Sequence, residues 1–167
     1  MNKVAEFKKV SFEQFYDSWI NTFNNTKDEV KEIYNNIKIP KRATKGSAGH
    51  DISIPFDVNI ASGDMLKIPT GIRCKMNEGY VMLVFPRSSL GIKNGLRILN
   101  TIPVIDSDYF YADNEGHIFI CIKNDSNKVM KLKQGDNIVQ AVFIPFGVAD
   151  NEDVLIERKG GIGSTGK

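Results

Sequence analysis

Residues 95–110 read GLRILNTIPVIDSDYF. Two apolar runs, 96–99 and 102–105, flank Asn100 and Thr101, the pattern of two short strands about a polar turn. The spacing predicts a hairpin whose tip offers backbone donors and acceptors to a flat hydrogen-bonding partner. Asp106 and Asp108 follow at alternate positions, so in an extended segment both carboxylates point to one face. Either Asp alone also fits a turn or a capping role. A carboxylate beside a phosphate can act as general base for an attacking water.

The same alternation of short apolar runs and turn residues continues on both sides. Residues 52–60, 65–73, 80–85, 117–123 and 137–146 are β-rich and bounded by Gly, Pro, Asn or Asp. So many turns with few helical stretches predict an all-β sandwich or jelly roll rather than a parallel α/β sheet. The pattern changes before Pro40. Phe12, Phe15, Tyr16, Trp19, Ile20 and Phe23 recur at the spacing of one helical face. Ser11 with Gln14, and Thr26 with Glu29, form capping-box patterns, and Val10 with Phe15 forms a hydrophobic staple. Two amphipathic helices are predicted, their aromatic face packed on the body or on a neighbouring subunit. The expected organisation is a helical extension over residues 1–40, a β body over 41–156 and a glycine-rich arm over 157–167.

Composition narrows the function. Twenty-two Lys and Arg against twenty Asp and Glu leave a net charge of +2, too little to argue for nucleic acid or a membrane surface. Cys74 and Cys121 have no metal-type spacing and read as reduced core residues. His50 and His117 are isolated, which suits surface or packing positions better than metal ligation. No apolar run approaches membrane-spanning length and the polar start is no signal peptide, so the expected location is the cytoplasm.

Two further stretches carry phosphate chemistry. The turn PRSSLGIKNG, residues 86–95, joins a guanidinium fork to hydroxyls and glycines, a set suited to phosphate oxygens. Residues 161–167 spell G-x-x-x-x-G-K, close to the phosphate loop of nucleotide hydrolases. That loop needs Ser or Thr after its Lys, a strand before it and a helix after it. None of these is read here, so the glycines must serve in another way.

Five motifs in order supply that way. AGHDI (48–52), PRSSLG (86–91), NTIPVIDSDY (100–109), GDNIVQAVF (135–143) and GGIGSTG, ending at Gly166, resemble those of the trimeric all-β dUTPase family. The resemblance spans residues 40–167 and implies a jelly-roll-like dUTPase fold carrying the two-helix extension. It implies hydrolysis of dUTP to dUMP and pyrophosphate with Mg2+, in a homotrimer whose subunits share active sites. Asp106 would activate the water. Arg87, Ser88, Ser89 and Gln140 would grip phosphates, joined by Arg158, Gly163, Ser164 and Thr165 of an arm that closes over the nucleotide. Asn100, Ile105, Tyr109 and Ile162 would hold uracil and deoxyribose, with Tyr109 excluding a 2′-hydroxyl. Asp51 would act from behind these groups or hold the architecture. The ion would be held by triphosphate and water rather than by side chains.

The chain departs from the family pattern in places. Pro103 stands where Gly is usual and removes an N–H donor. Residues 110–116, FYADNEG, replace a short Gly turn. Ile162 replaces a stacking Phe, and Arg158 lies one residue nearer the glycines, so a weaker lid and a raised KM are expected. The related dCTP deaminases need a carboxylate where this chain has Cys121, which argues against deamination. Some phage members of the family also bind repressor proteins, and a regulatory protein partner is the alternative role.

Overall fold

The computed structural model describes residues 2–151 and Gly160. In chain order the strands and helices are β1 (Ala5–Lys9), α1 (Phe12–Ile20), α2 (Lys27–Asn35), β2 (Lys41–Arg42), β3 (His50–Ser53), β4 (Val58–Ile60), β5 (Met65–Pro69), β6 (Ile72–Met76), β7 (Tyr80–Pro86), β8 (Leu96–Ile98), β9 (Val104–Ile105), β10 (Phe119–Asn124), β11 (Met130–Leu132) and β12 (Asn137–Pro145). A π-type turn, Ser89–Lys93, follows β7, and a 3-10 turn, Ser107–Tyr111, follows β9. Every strand pair is antiparallel. The sheets run β2-β3-β12-β7-β9, β5-β10-β8, β1-β6 and β11-β4. The result is a jelly-roll-like β body with a small helical segment.

Alternation builds the core. Ile120, Ile122 and Asn124 of β10 are buried while Phe119, Cys121 and Lys123 are partly exposed. Cys121 therefore lies on the outward face of its strand, whereas Cys74 on β6 is buried. Each fully buried Ile contributes about 1.5–3 kcal/mol, and Ile52, Ile54, Ile68, Ile72, Ile98, Ile118, Ile120, Ile122 and Ile138 are all in that class.

Both helices form where their caps predict. Ser11 accepts from the Gln14 amide at 3.1 Å, but Gln14's side chain turns to Ser18 Oγ at 3.0 Å, so only half of this capping box forms. Thr26 and Glu29 complete theirs. Phe15 and Trp19 enter the same core as the strands, Trp19 meeting Phe56 ring to ring at 5.0 Å. The aromatic face thus packs on the body of its own chain. Among the described residues, no helix is long and apolar enough to cross a membrane.

The structure corrects several strand expectations. Residues 52–60 break between Ser53 and Val58, where Ile54 exchanges backbone hydrogen bonds with Asp136 and Gly135 and Pro55 has no N–H to give. Residues 65–73 break at Gly71, whose φ of +70° suits glycine. β6 then pairs with β1, a strand that the polar start concealed. The predicted hairpin does not form. β8 pairs with β10 and β9 with β7, in two different sheets. The segment between them is a crossover, turning at Thr101 with φ +64° and anchored by the Pro103 carbonyl, which accepts from the Val84 amide at 3.1 Å. Asp106 and Asp108 do not share an extended face either. Asp106 is the N-cap of the 3-10 turn and Asp108 lies inside that turn.

Candidate functional site

The expected phosphate residues converge at one end of the five-stranded sheet. On β12, Gln140 lies between Asp51 of β3 and Phe85 of β7, and Arg87 leaves the end of β7. Asp51 Oδ1 stands 3.3 Å from Arg87 Nε, and its other oxygen accepts from Asn137 Nδ2 at 3.0 Å. Asn137 is in turn held by Ser53 Oγ at 2.7 Å. The pair engages Nε, the inner corner of the guanidinium, and so sets the plane of the fork. Asp51 thus orients a candidate phosphate ligand. Asn137 was not singled out from sequence; its place at the start of β12, where the GDN stretch ends, is the available signal.

Gln140 reaches the Pro86 carbonyl at a long 3.4 Å. A Cβ at Gly49 would stand 2.3 Å from Gln140 Oε1, so the glycine of the AGHDI motif makes room for the Gln140 amide. Ser88 and Ser89 are exposed at the start of the π-type turn. That turn is closed by the Leu90 and Gly91 amides, which donate to the Arg87 carbonyl at 3.0 and 2.9 Å.

The expected base and nucleoside residues lie elsewhere, along the crossover and the 3-10 turn that follows it. Ile105 lies opposite Met82 on β7, and the half-buried Asp106 begins the 3-10 turn. Tyr109 in that turn is buried, its hydroxyl donating to the His117 carbonyl at 2.7 Å and accepting from Asn114 Nδ2 at 2.9 Å. The ring is therefore a rigid floor. Asn100 is exposed at the crossover, its carbonyl accepting from the Ile102 amide at 2.7 Å.

These two clusters lie apart within one chain. Since Ile105 faces Met82 in antiparallel register, Asp106 falls opposite Val81, six residues before Arg87. At the usual strand rise that is roughly 20 Å along β7. One copy does not bring the expected base and the expected phosphate residues together. A cleft of about 490 Å3, lined by residues including Lys3, Arg42, His50, Tyr80 and Phe143, opens elsewhere and includes none of the expected site residues. Arg158, Ile162, Gly163, Ser164 and Thr165 lie outside the described residues.

Beneath the second cluster sits a buried imidazole. His117 Nε2 accepts from the Gly71 amide at 2.8 Å, and Nδ1 lies 2.9 Å from Ser18 Oγ. With Nε2 an acceptor, the single proton belongs on Nδ1, and burial pushes the pKa down to about 3. His117 is thus a packing residue joining α1 to the β body. Burial pushes the Cys74 thiol up to about 12 and raises Cys121 as well, so neither is an activated nucleophile. No group of three or more His, Cys, Asp or Glu that could hold a metal occurs among the described residues.

Comparison with known proteins gives this geometry a family context. The family model described as dUTPase matches residues 35–166. The deoxyuridine 5′-triphosphate nucleotidohydrolase of Lactococcus lactis subsp. lactis (strain IL1403) is 43% identical over 143 residues, spanning 83% of this chain and 95% of that protein. The crystal structure of the dUTPase from Streptococcus mutans superposes with a TM-score of 0.66 at 32% identity, covering 86% of this chain and 98% of that one. A mutant dUTPase from phage phi11 of S. aureus, described with a structural Mg(II) ion, has a TM-score of 0.64 at 20% identity over 92% of this chain and 98% of its own, a likeness of fold.

Proposed function

The chain belongs to the dUTPase family, and from that premise we propose how its residues carry out the family reaction. It hydrolyses dUTP to dUMP and pyrophosphate, a dUTP diphosphatase limiting uracil in DNA and supplying dUMP. Asp106 takes a proton from water as the oxygen attacks the α-phosphorus. The bond to the α–β bridging oxygen breaks, and pyrophosphate leaves with the charge. Arg87, oriented by Asp51, grips phosphate together with Ser88, Ser89 and Gln140. Asn100, Ile105 and the crossover backbone receive uracil, while Tyr109 lies beneath the sugar and leaves no room for a 2′-hydroxyl. Arg158, Ile162, Gly163, Ser164 and Thr165 would close the arm over base and phosphates.

One observation carries the reading beyond the reaction itself: the register that parts Asp106 from Arg87 along β7. A nucleotide bound by one chain's grip needs a carboxylate from another copy. That supports sites shared between subunits, as in the homotrimer that the family resemblance implies.

The donor set suits an ion that arrives on the nucleotide. Arg87, Ser88, Ser89 and Gln140 offer N–H and O–H groups to phosphate oxygens, leaving a divalent cation to the triphosphate and water. Mg2+ so held supplies charge neutralisation on the phosphate oxygens.

Pyrophosphate release from dUTP, dTTP, dCTP and UTP, with and without Mg2+, tests the proposal. Turnover is expected with dUTP and Mg2+ alone. Asp106→Asn should lower kcat by about 10²–10⁴-fold with nucleotide binding retained. Full activity in that variant would refute the base, and ammonia released from dCTP would replace hydrolysis by deamination.

A further inference from the structure

Residues 110–116 form a brace between the helical segment and the turn that follows Asp106. Among the described residues, two non-glycines hold positive φ, Thr101 and Glu115. Both border the second cluster. Such a backbone is held only where its surroundings over-determine it, and at Glu115 they do. Its amide donates to the Ala112 carbonyl at 2.8 Å, and the following Gly116 packs where a Cβ would come 2.6 Å from the Tyr109 carbonyl oxygen.

The Glu115 side chain leaves this turn and clasps the start of α1. Oε2 accepts from the Ser11 amide at 2.8 Å, and Oε1 accepts from the Ser11 hydroxyl. The bond from the Ser11 amide is the one that Gln14 does not accept. Glu115 also stands 3.6 Å from Arg73 Nη1. Arg73 Nη2 donates to the Phe110 carbonyl at 2.7 Å, and the guanidinium lies 3.8 Å from the centre of the Phe110 ring. Among the described residues, the buried Arg73 Nε finds no hydrogen-bond partner. Phe110 is the residue after Tyr109, inside the turn that Asp106 caps.

We propose that Glu115 is a positioning residue for the reaction: by clasping Ser11 and pairing with Arg73, it fixes the Ser107–Tyr111 turn and with it Asp106 and Tyr109. The helical segment is thereby part of the catalytic scaffold. Burial draws the Glu115 pKa upward, but the Ser11 hydrogen bonds and Arg73 outweigh it and hold the carboxyl below its ordinary value, so the brace is ionised at neutral pH.

The inference rests on the dUTPase reading above, and the test keeps the two separable. Steady-state hydrolysis of dUTP and UTP is measured for the wild type, Glu115→Ala, Glu115→Gln and Ser11→Ala, with hydrogen exchange of residues 107–112. Glu115→Ala is expected to lower kcat for dUTP about tenfold with a smaller change in KM. It should also reduce the preference for dUTP over UTP and speed exchange in the turn. Glu115→Gln, which can still accept from Ser11, should recover part of each. Ser11→Ala should shift the same quantities in the same direction, and should shift them little further when added to Glu115→Ala. Unchanged kcat, dUTP preference and exchange in folded Glu115→Ala overturn the proposal; so do unchanged values in Glu115→Gln and Ser11→Ala if the Ala chain does not fold. A wild type that leaves dUTP intact overturns the functional reading instead, while the exchange data still decide the brace.

Discussion

Gly49 has no side chain where Gln140 needs the space. A Cβ there would meet Gln140 Oε1 at 2.3 Å and Gln140 Cβ at 3.2 Å, so Gly49→Ala must turn the Gln140 side chain away from its present position. The displaced group is a flexible amide, and fold stability should hardly change. With Gln140 in its proposed role, loss of a hydrogen bond to a charged phosphate should raise KM for dUTP roughly tenfold, with kcat less affected. Kinetics beside a thermal melt check this: a lowered Tm with unchanged KM would show Gly49 to be structural. At this scale the sequence was readable by type and blind to partner. The AGHDI motif marked Gly49, Asp51 and their neighbours, but nothing local says that Asp51 meets Arg87, or that Asn137 steadies Asp51.

Between elements, His117 fastens α1 to the β body through Ser18 and Gly71. Its folded pKa of about 3 lies below the ordinary 6.5 because burial disfavours the imidazolium. The unfolded chain therefore binds a proton below pH 6.5 that the folded chain refuses. Stability from the neutral His117 is complete above pH 6.5 and drains away as pH falls towards 3. Each unit is worth about 1.4 kcal/mol, so roughly 2 kcal/mol is gone at pH 5. That corresponds to a Tm lowered by about 4–8 °C between pH 7 and pH 5. His117→Gln should lower Tm at pH 7 and lose most of that pH dependence; an equal fall in both proteins would exclude His117 as its source. The two helices were legible because caps and 3.6-residue periodicity are local. The hairpin at Asn100 was misread because strand partners are chosen over long separations, and β8 and β9 each find a better ladder in a different sheet.

For the whole molecule, the proposed phosphate grip lies at one end of β7 and Asp106 near the other. If sites are shared between copies, chains carrying Asp106→Asn and chains carrying Arg87→Ala, each inactive alone, should complement one another. Unfolded together and refolded at equal ratio, they should recover roughly a quarter of the wild-type sites. Absence of recovery in assemblies shown to be mixed would mean that each chain works with its own Asp106. The amino-acid sequence by itself determined the family chemistry, the β-rich body and the helical caps, because motifs, alternation and capping are written in neighbouring residues. Only the tertiary structure decided that 96–105 crosses between sheets, that Glu115 completes the cap of a helix about a hundred residues earlier, and that the proposed grip and base stand apart. These depend on register and on which surfaces meet, and a one-dimensional pattern encodes neither.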